Sequence, residues 1–476
     1  MRFARNPETH TDCGAFLHNL WIAITFCGLN RWWFVTCSNL SSVRTSMTRN
    51  FRPGFRLLLL LACLLLTLDL SACVRSRSIN GLRPTVILIS LDGFRFDYLE
   101  KYEAPNLRSL ARDGVQAKWM IPAFPTKTFP NHYTIATGLY PQNHGIVENT
   151  VFDEGFNATL TMANRDEVQN GRWWLGEPIW VTAEKQGQRS APFFWPGSEA
   201  EINGIRGTYW KPYDGKLSNE ARIDMVLSWL DLPAGERPTF LSLYFSDVDH
   251  AGHEFSPDSI ETRDAVRRVD NGLGRLIDGL TKRGIFAQVN LIIVSDHGMA
   301  NQDRNNAIIL DELFDTNLAR KVLWTGEIVA IFPKGGKEKE IYETLRTRLP
   351  SQAKVYRKAE MPARFHYSNS PRIAPLLVLP DEGWILTTRK RFQERSEDRT
   401  RGLSGSHGYD NALESMRAIF IAHGSAFKKG SLIEPFENIH VYNLMTRILG
   451  LTPAPTDGND SAAEAALADD PARVRH

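Results

Sequence analysis

The chain has 476 residues, 42% hydrophobic and 23% charged, with a formal net charge of +2. That balance suits a soluble globular protein of one large domain or two ordinary ones, and without a dense Lys/Arg stripe it predicts no nucleic-acid groove. All five cysteines (Cys13, Cys27, Cys37, Cys63, Cys73) lie in the first 73 residues, so the body can hold no disulfide, and any metal there must rest on Asp, Glu and His.

From Met47 the chain reads MTRNFRPGFRLLLLLACLLLTLDLSAC. Arg49, Arg52 and Arg56 precede an apolar run, Leu57 to Leu68, that is too short for a comfortable membrane span. The small residues of Leu70-Ser71-Ala72-Cys73 make residues 47–73 resemble a bacterial lipoprotein signal, with Cys73 lipidated and made the mature N-terminus. An ordinary secretory signal is the alternative. Both readings predict export, to the periplasm or as an outer-membrane lipoprotein, with a lipid anchor as the only membrane contact. Residues 1–46 precede this signal and are expected to be an upstream extension, with translation starting at Met47. A linker follows over 74–83.

The next segment, PTVILISLDGF (84–94), is nearly all apolar from Val86 to Leu91, as in a strand covered on both faces of a parallel sheet. It ends at Asp92, with Gly93 as the turn. Residues 124–149, FPTKTFPNHYTIATGLYPQNHGIVEN, place Thr128 just before a short helix expected from Pro130 to Gly138. A hydroxyl there faces the positive end of a helix dipole, which favours an alkoxide and an attached phosphate; a simple N-cap is the local alternative.

A second apolar strand, Phe240 to Phe245, is followed by Asp249 and His253. Residues 256–284 then read as a helix. Ser256 caps it, Pro257 fits the first turn, Val266, Val269, Leu273, Leu276, Ile277 and Leu280 recur at helical spacing, and Gly284 closes it. The third strand, NLIIVSDHGM (290–299), ends in Asp296 and His297. Alternating strands and helices predict an α/β sandwich with a mostly parallel sheet, in which ligands bind at the carboxyl ends of the strands.

Three acidic strand ends would then converge. Any one Asp could be a cap and any one His a core side chain. Together they would repel one another, and divalent cations would remove the conflict. Asp and His without thiolates suit zinc or another borderline first-row metal.

TKTFPNHYTIATGLYPQNHGI, GEPIWVTAEKQG, FFWPGSEAEINGI, DHAGH, SDHGM and GSHGYDN together resemble the nucleotide pyrophosphatase/phosphodiesterase family of the alkaline phosphatase superfamily, in its bacterial nucleotide-cleaving form. The likeness runs from about Pro84 to Leu451, so a single catalytic domain is expected over 84–451 and a flexible tail over 452–476. It implies an alkaline-phosphatase-like sandwich with helices on both faces of the sheet, two Zn2+ ions per chain, and a monomer acting on nucleotides. One zinc would be held by Asp249, His253 and His407, the other by Asp92, Asp296 and His297. Thr128 would lie between the metals as nucleophile, giving a phosphothreonine. Asn149 would hold a non-bridging phosphoryl oxygen. His132 and His144 match no ligand position and are expected to be structural or supporting.

Phe129, Tyr213 and Tyr244 stand at or beside family positions that contact a nucleobase, which gains stacking energy between aromatic faces. Residues 197–215 resemble an insertion of nucleotide-cleaving members that lysophospholipid-cleaving, autotaxin-like members lack. The expected reaction is therefore hydrolysis of nucleotide phosphodiester or pyrophosphate bonds, releasing nucleoside 5′-monophosphates. Cleavage of choline-type or lysophospholipid head groups is the first rival, and a non-catalytic metal-binding surface lipoprotein the second. Thr150 stands where vertebrate nucleotide-cleaving relatives often carry lysine, which predicts weaker or differently arranged binding of outer phosphates.

Overall fold

A computed structural model of the protein describes residues 79, 81–303, 305–397 and 403–469. The expected upstream extension, the signal with Cys73, and most of the linker 74–83 lie outside the described residues. No helix among the described residues is long and apolar enough to cross a membrane.

Seven strands make the central sheet: β1 (Val86–Leu91), β2 (Val115–Ala117), β3 (Ser190–Ala191), β4 (Phe240–Phe245), β5 (Asn290–Val294), β6 (Phe420–His423) and β7 (Ser431–Ile433), in the order β7-β2-β6-β5-β1-β4-β3. Only β6 runs against its neighbours; every other pairing is parallel. The mostly parallel sheet expected from the sequence is therefore present.

Every residue of β1 is buried, because both faces are covered. Val86 and Leu88 point into one core, and Ile87, Ile89 and Leu91 into the other. Helix α1 (Pro105–Asp113), α4 (Asn219–Leu230) and α6 (Ile260–Lys282) supply buried side chains to the second core. Helices α2 (Thr128–Thr137), α3 (Ile179–Lys185) and α7 (Val441–Leu449) supply the first. Between α4 and α6, the short helix α5 (Asp247–Phe255) leaves the end of β4.

Register brings the strand ends level. Leu91 pairs with Phe245, and Ser90 with both Tyr244 and Val294. The residues that follow are Asp92, the α5 helix carrying Asp249, and Ser295-Asp296-His297. They emerge on one edge, as the carboxyl-end rule for parallel sheets requires.

Three expectations need correction. The helix expected over 256–284 spans Ile260–Lys282, and its cap is Ser259, whose hydroxyl accepts from Thr262 N at 3.1 Å. Ser256 instead terminates α5 with φ of +90°. The apolar spacing was sound, but two serines competed for one cap. Helix α2 begins at Thr128 rather than Pro130 and ends at Gly138, whose φ of +68° suits glycine.

Of the tail expected to be flexible, residues 452–469 are packed. Ser461–Ala466 is a helix with Ala462, Ala463 and Ala466 buried, and Asp457 accepts from Tyr140 N at 2.7 Å and Asn143 Nδ2 at 2.8 Å. Alanines carry a weak apolar signal, yet they let this helix lie close to the core.

A smaller antiparallel sheet is built from Ala319–Trp324, Val329–Pro333, Leu376–Pro380 and Ala353–Arg357. The helix Glu338–Arg348 buries Ile341 and Leu345 against it. Nothing in the sequence singles out this layer, whose first hairpin turn reaches the site.

Candidate active site

Asp92 follows β1 directly and is 1% exposed. Its Oδ2 accepts from the Tyr244 hydroxyl at 2.6 Å, while its Oδ1 is buried with no hydrogen-bond partner among the described residues. Asp296 Oδ1 accepts from Gly93 N at 3.2 Å, and its Oδ2 is likewise buried without a hydrogen bond. His297 Nδ1 lies 2.8 Å from the Gly298 carbonyl, which assigns the proton to Nδ1 and leaves the Nε2 lone pair inward. That Nε2 is 2.9 Å from Asp296 Oδ2 and 3.5 Å from Asp92 Oδ1.

The second cluster is built on α5. Asp249 and His253 lie four residues apart on one helical face. His253 Nδ1 donates to Gly405 O at 3.0 Å, and His407 Nδ1 to Thr126 O at 2.8 Å. Both Nε2 atoms are therefore lone-pair ends, yet they face each other at 3.0 Å. Asp249 Oδ1, 3.4 Å from one and 3.6 Å from the other, is buried without a hydrogen bond. Each trio brings one ligand atom per residue within 4.8 Å of the others. The His297 and His407 rings stack at 3.5 Å and join the two trios.

These orphaned oxygens and opposed lone pairs are the test of whether a cation fits. Buried acceptors facing acceptors are unfavourable without positive charge between them. The electrostatics of the buried groups agree. Burial, then the charges of Asp296 and Asp249, push the Asp92 carboxyl well above its ordinary range. Burial opposes a charged His297, but the charge and hydrogen bond of Asp296, the Asp249 charge and the Gly298 carbonyl together raise the imidazole. Burial, then His297 and His253, drive His407 well below its usual value.

Thr128 is the first residue of α2, and the capping position belongs to Lys127, which makes no side-chain cap bond. The Thr128 hydroxyl lies 3.3 Å from His297 Nε2. Asn149 Oδ1 accepts from Phe129 N at 2.8 Å, leaving its amide hydrogens as the end available to an oxyanion.

The support is dense. His132 Nδ1 meets Thr128 O at 2.9 Å, and its Nε2 meets the Ser90 hydroxyl at 2.7 Å. Buried Asn131 donates to Pro125 O and Lys127 O and accepts from Ala123 N. His144 sits on the Thr134 hydroxyl at 3.0 Å, away from both trios. The Thr126 hydroxyl donates to Tyr409 O at 3.0 Å and accepts from Gly408 N at 2.9 Å, which ties the distant GSHGYDN loop to the Thr128 segment.

Two cavities lie near Thr128. One, of about 130 Å3, is lined by Thr128 with Phe129, Phe194, Trp195, Tyr213 and Tyr244. Tyr213 is 39% exposed, and its edge meets the Phe194 ring at 5.2 Å. The other, of about 410 Å3, is polar and runs past Asn149, His253 and His407 to Lys127, Glu327 and Arg391.

Asp92, Asp296, His297, Asp249, His253 and His407 form the two trios, with Thr128 and Asn149 beside them and Phe129, Tyr213 and Tyr244 around the aromatic cavity. Sequence reasoning missed Lys127, Glu327, Phe194 and Trp195. The lysine next to Thr128 was a usable signal, and so were the aromatics of FFWPGSE. Glu327 gave none, since only the fold brings the hairpin turn of the smaller sheet here.

A hydroxyl 3.3 Å from His297 Nε2, beside two trios of potential metal ligands at the carboxyl edge of a parallel sheet, suits metal-assisted ester hydrolysis. The family model for Type I phosphodiesterase / nucleotide pyrophosphatase matches residues 86–410, and the chain belongs to that family. It is 43% identical over 405 residues to an uncharacterized pyrophosphatase/phosphodiesterase of Schizosaccharomyces pombe, covering 81% of this chain and 80% of that one. It is 42% identical over 385 residues to human ectonucleotide pyrophosphatase/phosphodiesterase family member 1, covering 79% of this chain and 41% of that one. A venom phosphodiesterase of Crotalus durissus collilineatus is 41% identical over 383 residues, covering 78% of this chain and 45% of that one. The chain thus spans most of the yeast relative but less than half of the human and venom ones.

Murine ectonucleotide pyrophosphatase/phosphodiesterase 5 superposes with a TM-score of 0.75 at 34% identity, covering 81% of this chain and all of that one. An inactive form of that protein has been solved in complex with AMP. The relatives named are all eukaryotic. The protein is a hydrolase of the nucleotide pyrophosphatase/phosphodiesterase family, with the α/β fold expected of it.

Proposed function

We propose that this protein hydrolyses nucleotide phosphodiester and diphosphate bonds and releases nucleoside 5′-monophosphates by way of a phosphothreonine at Thr128, with two zinc ions bound. The observation that carries the reading is the Thr128 hydroxyl, 3.3 Å from His297 Nε2, in the wall of an aromatic cavity, with its neighbour Lys127 lining a polar one.

Asp92, Asp296 and His297 would hold one ion, and Asp249, His253 and His407 the other. Oxygen and imidazole donors in this number, with no cysteine in the body, suit zinc. When bound, such ions supply Lewis acidity, lowering the pKa of an attacking hydroxyl and stabilising a leaving oxygen.

The chain's own groups do the rest. Phe129, Tyr213 and Tyr244 offer aromatic faces to a base, with Phe194 and Trp195 completing the wall. Thr128 Oγ1 attacks phosphorus as it loses its proton, and the bond to the leaving oxygen breaks on the opposite side. The Asn149 amide and the Thr128 backbone N–H, at the start of α2, donate to the equatorial oxygens. Water then attacks the phosphothreonine, releases the nucleoside monophosphate and restores the hydroxyl.

Thr128→Ala tests this assignment. It should abolish turnover of a nucleotide nitrophenyl diester while leaving metal content nearly intact. Turnover at close to the unaltered rate would remove Thr128 as nucleophile. Nitrophenyl phosphocholine assayed beside it distinguishes the choline-type rival.

Export is part of the same proposal. It rests on residues 47–73, with lipid attachment at Cys73 as its narrower form. The N-terminal mass of the mature protein, read before and after lipase treatment, tests both.

A further inference from the structure

The larger, polar cavity holds a buried charge arrangement that the hydrolase reading leaves unused. Lys127, next to the nucleophile, is 6% exposed, and so is Glu327. The Lys127 ammonium forms an ion pair with Glu327 Oε2. Glu327 Oε1 in turn accepts from the Ser406 hydroxyl, one residue before His407. Glu327 rides on the turn joining Ala319–Trp324 to Val329–Pro333, closed by the Thr325 hydroxyl donating to Ile328 O at 2.6 Å.

Glu148, whose charge also acts on Lys127, is 5% exposed; its Oε2 accepts from Thr150 N at 3.0 Å, and its Oε1 has no hydrogen-bond partner among the described residues. Gly408 holds the lysine in place: with φ of +115°, it leaves the space where a Cβ would lie 2.3 Å from Lys127 Cε. The ammonium is therefore held against Glu327, with the Glu148 charge also acting on it. Of the residues lining this cavity, the remaining cation is Arg391, on the exposed side, where its guanidinium donates to Trp324 O at 3.0 Å. Thr150, beside Asn149, adds no charge.

In-line displacement sends the leaving group away from Thr128. His297 stands on the Thr128 side, whereas His253 and His407 line the polar cavity. Resting on the hydrolase reading above, the leaving group enters that cavity and passes Lys127. A diphosphate substrate drives a multiply charged anion there; a phosphodiester sends out an alcohol oxygen that leaves neutral once protonated. A lone ammonium would favour the first, and one already paired with a carboxylate favours it far less.

We infer that Glu327, by holding Lys127 in a buried ion pair beside the Asp249-His253-His407 cluster, is a specificity-determining residue that biases this enzyme toward phosphodiesters with neutral leaving groups and against nucleoside triphosphates. It acts through Lys127 and needs no contact with substrate.

The test compares kcat/KM for ATP with kcat/KM for a 3′–5′ dinucleoside monophosphate, using zinc-loaded full-length protein. Glu327→Gln should raise the ATP-to-diester ratio by about tenfold or more, chiefly through KM for ATP. Glu327→Asp should return the ratio toward that of the unaltered protein, and adding Lys127→Met to Glu327→Gln should cancel the gain. A ratio unmoved in Glu327→Gln, in protein that still cleaves either substrate, overturns the inference. If Glu327→Gln does not fold, Ser406→Ala loosens the same carboxylate and must move the ratio in the same direction; no movement there overturns it equally. Failure of the unaltered protein to cleave either substrate would instead bring down the hydrolase reading, and this inference with it.

Discussion

Gly93 and Asp249 meet so closely that a Cβ on the glycine would lie 2.8 Å from the Asp249 Cα. Gly93 also has φ of +68°, and its N–H donates to Asp296 Oδ1. One residue without a side chain thus lets the end of β1, the start of α5 and the loop after β5 converge. Two carboxylates from different clusters can share one edge because nothing stands between them.

Gly93→Ala should therefore separate the clusters rather than unfold the protein. A displacement of about 1 Å at the start of α5 is expected to lower kcat roughly a hundredfold. Metal analysis should show loss of one ion before the other, while circular dichroism stays close to that of the unaltered protein.

Tyr244 has two faces, its ring lining the aromatic cavity and its hydroxyl on Asp92 Oδ2 at 2.6 Å. Burial, then Asp92, raise that hydroxyl well above its usual pKa, so it donates at any working pH. Tyr244→Phe keeps the ring and loses the donor. Metal affinity or kcat should fall about tenfold to a hundredfold, with KM for nucleotides little changed. Tyr213→Ala should do the reverse, weakening KM by the loss of about 1–3 kcal/mol of stacking.

Chelation should abolish activity and lower the thermal midpoint, because the orphaned oxygens of Asp92, Asp249 and Asp296 would lose their counter-charge. Added zinc should restore both. A midpoint unaffected by chelator, in protein stripped of metal by analysis, would mean that the clusters are held without ions.

Stability should fall in acid with a signature from His144. Burial, opposed by backbone hydrogen bonds, lowers this imidazole to about 3 from an ordinary 6.5. Folded, it stays neutral over that interval; unfolded, it takes up a proton below 6.5. The unfolded state therefore binds more protons, and stability declines as pH falls from 6.5 toward 3, at roughly 1.4 kcal/mol per unit from this group alone. His144→Gln should flatten the pH dependence of urea unfolding across that window. An unchanged slope would locate the acid sensitivity elsewhere.

Much of the site was legible in the sequence because buried parallel strands that end in Asp or His break a simple physical rule. Apolar runs ending at Asp92 and Asp296 stood out, and the strand bounds Val86–Leu91 and Phe240–Phe245 came out as expected. His407 was within reach only through family likeness, since its partner on the Thr128 segment is a backbone carbonyl with no sequence signature. Glu327 and the antiparallel layer beneath it escaped notice because local sequence does not say where a hairpin turn docks. The packed segment 452–469 escaped because alanine and proline carry little periodic signal.

The covalent route through Thr128 is tested most directly by the stereochemistry at phosphorus. Turnover of a chiral nucleotide phosphorothioate diester in 18O-labelled water gives a product whose configuration can be read by phosphorus NMR. Two successive in-line displacements, first by the Thr128 hydroxyl and then by water, predict net retention. Net inversion would mean that water attacks the substrate directly, and would contradict the account.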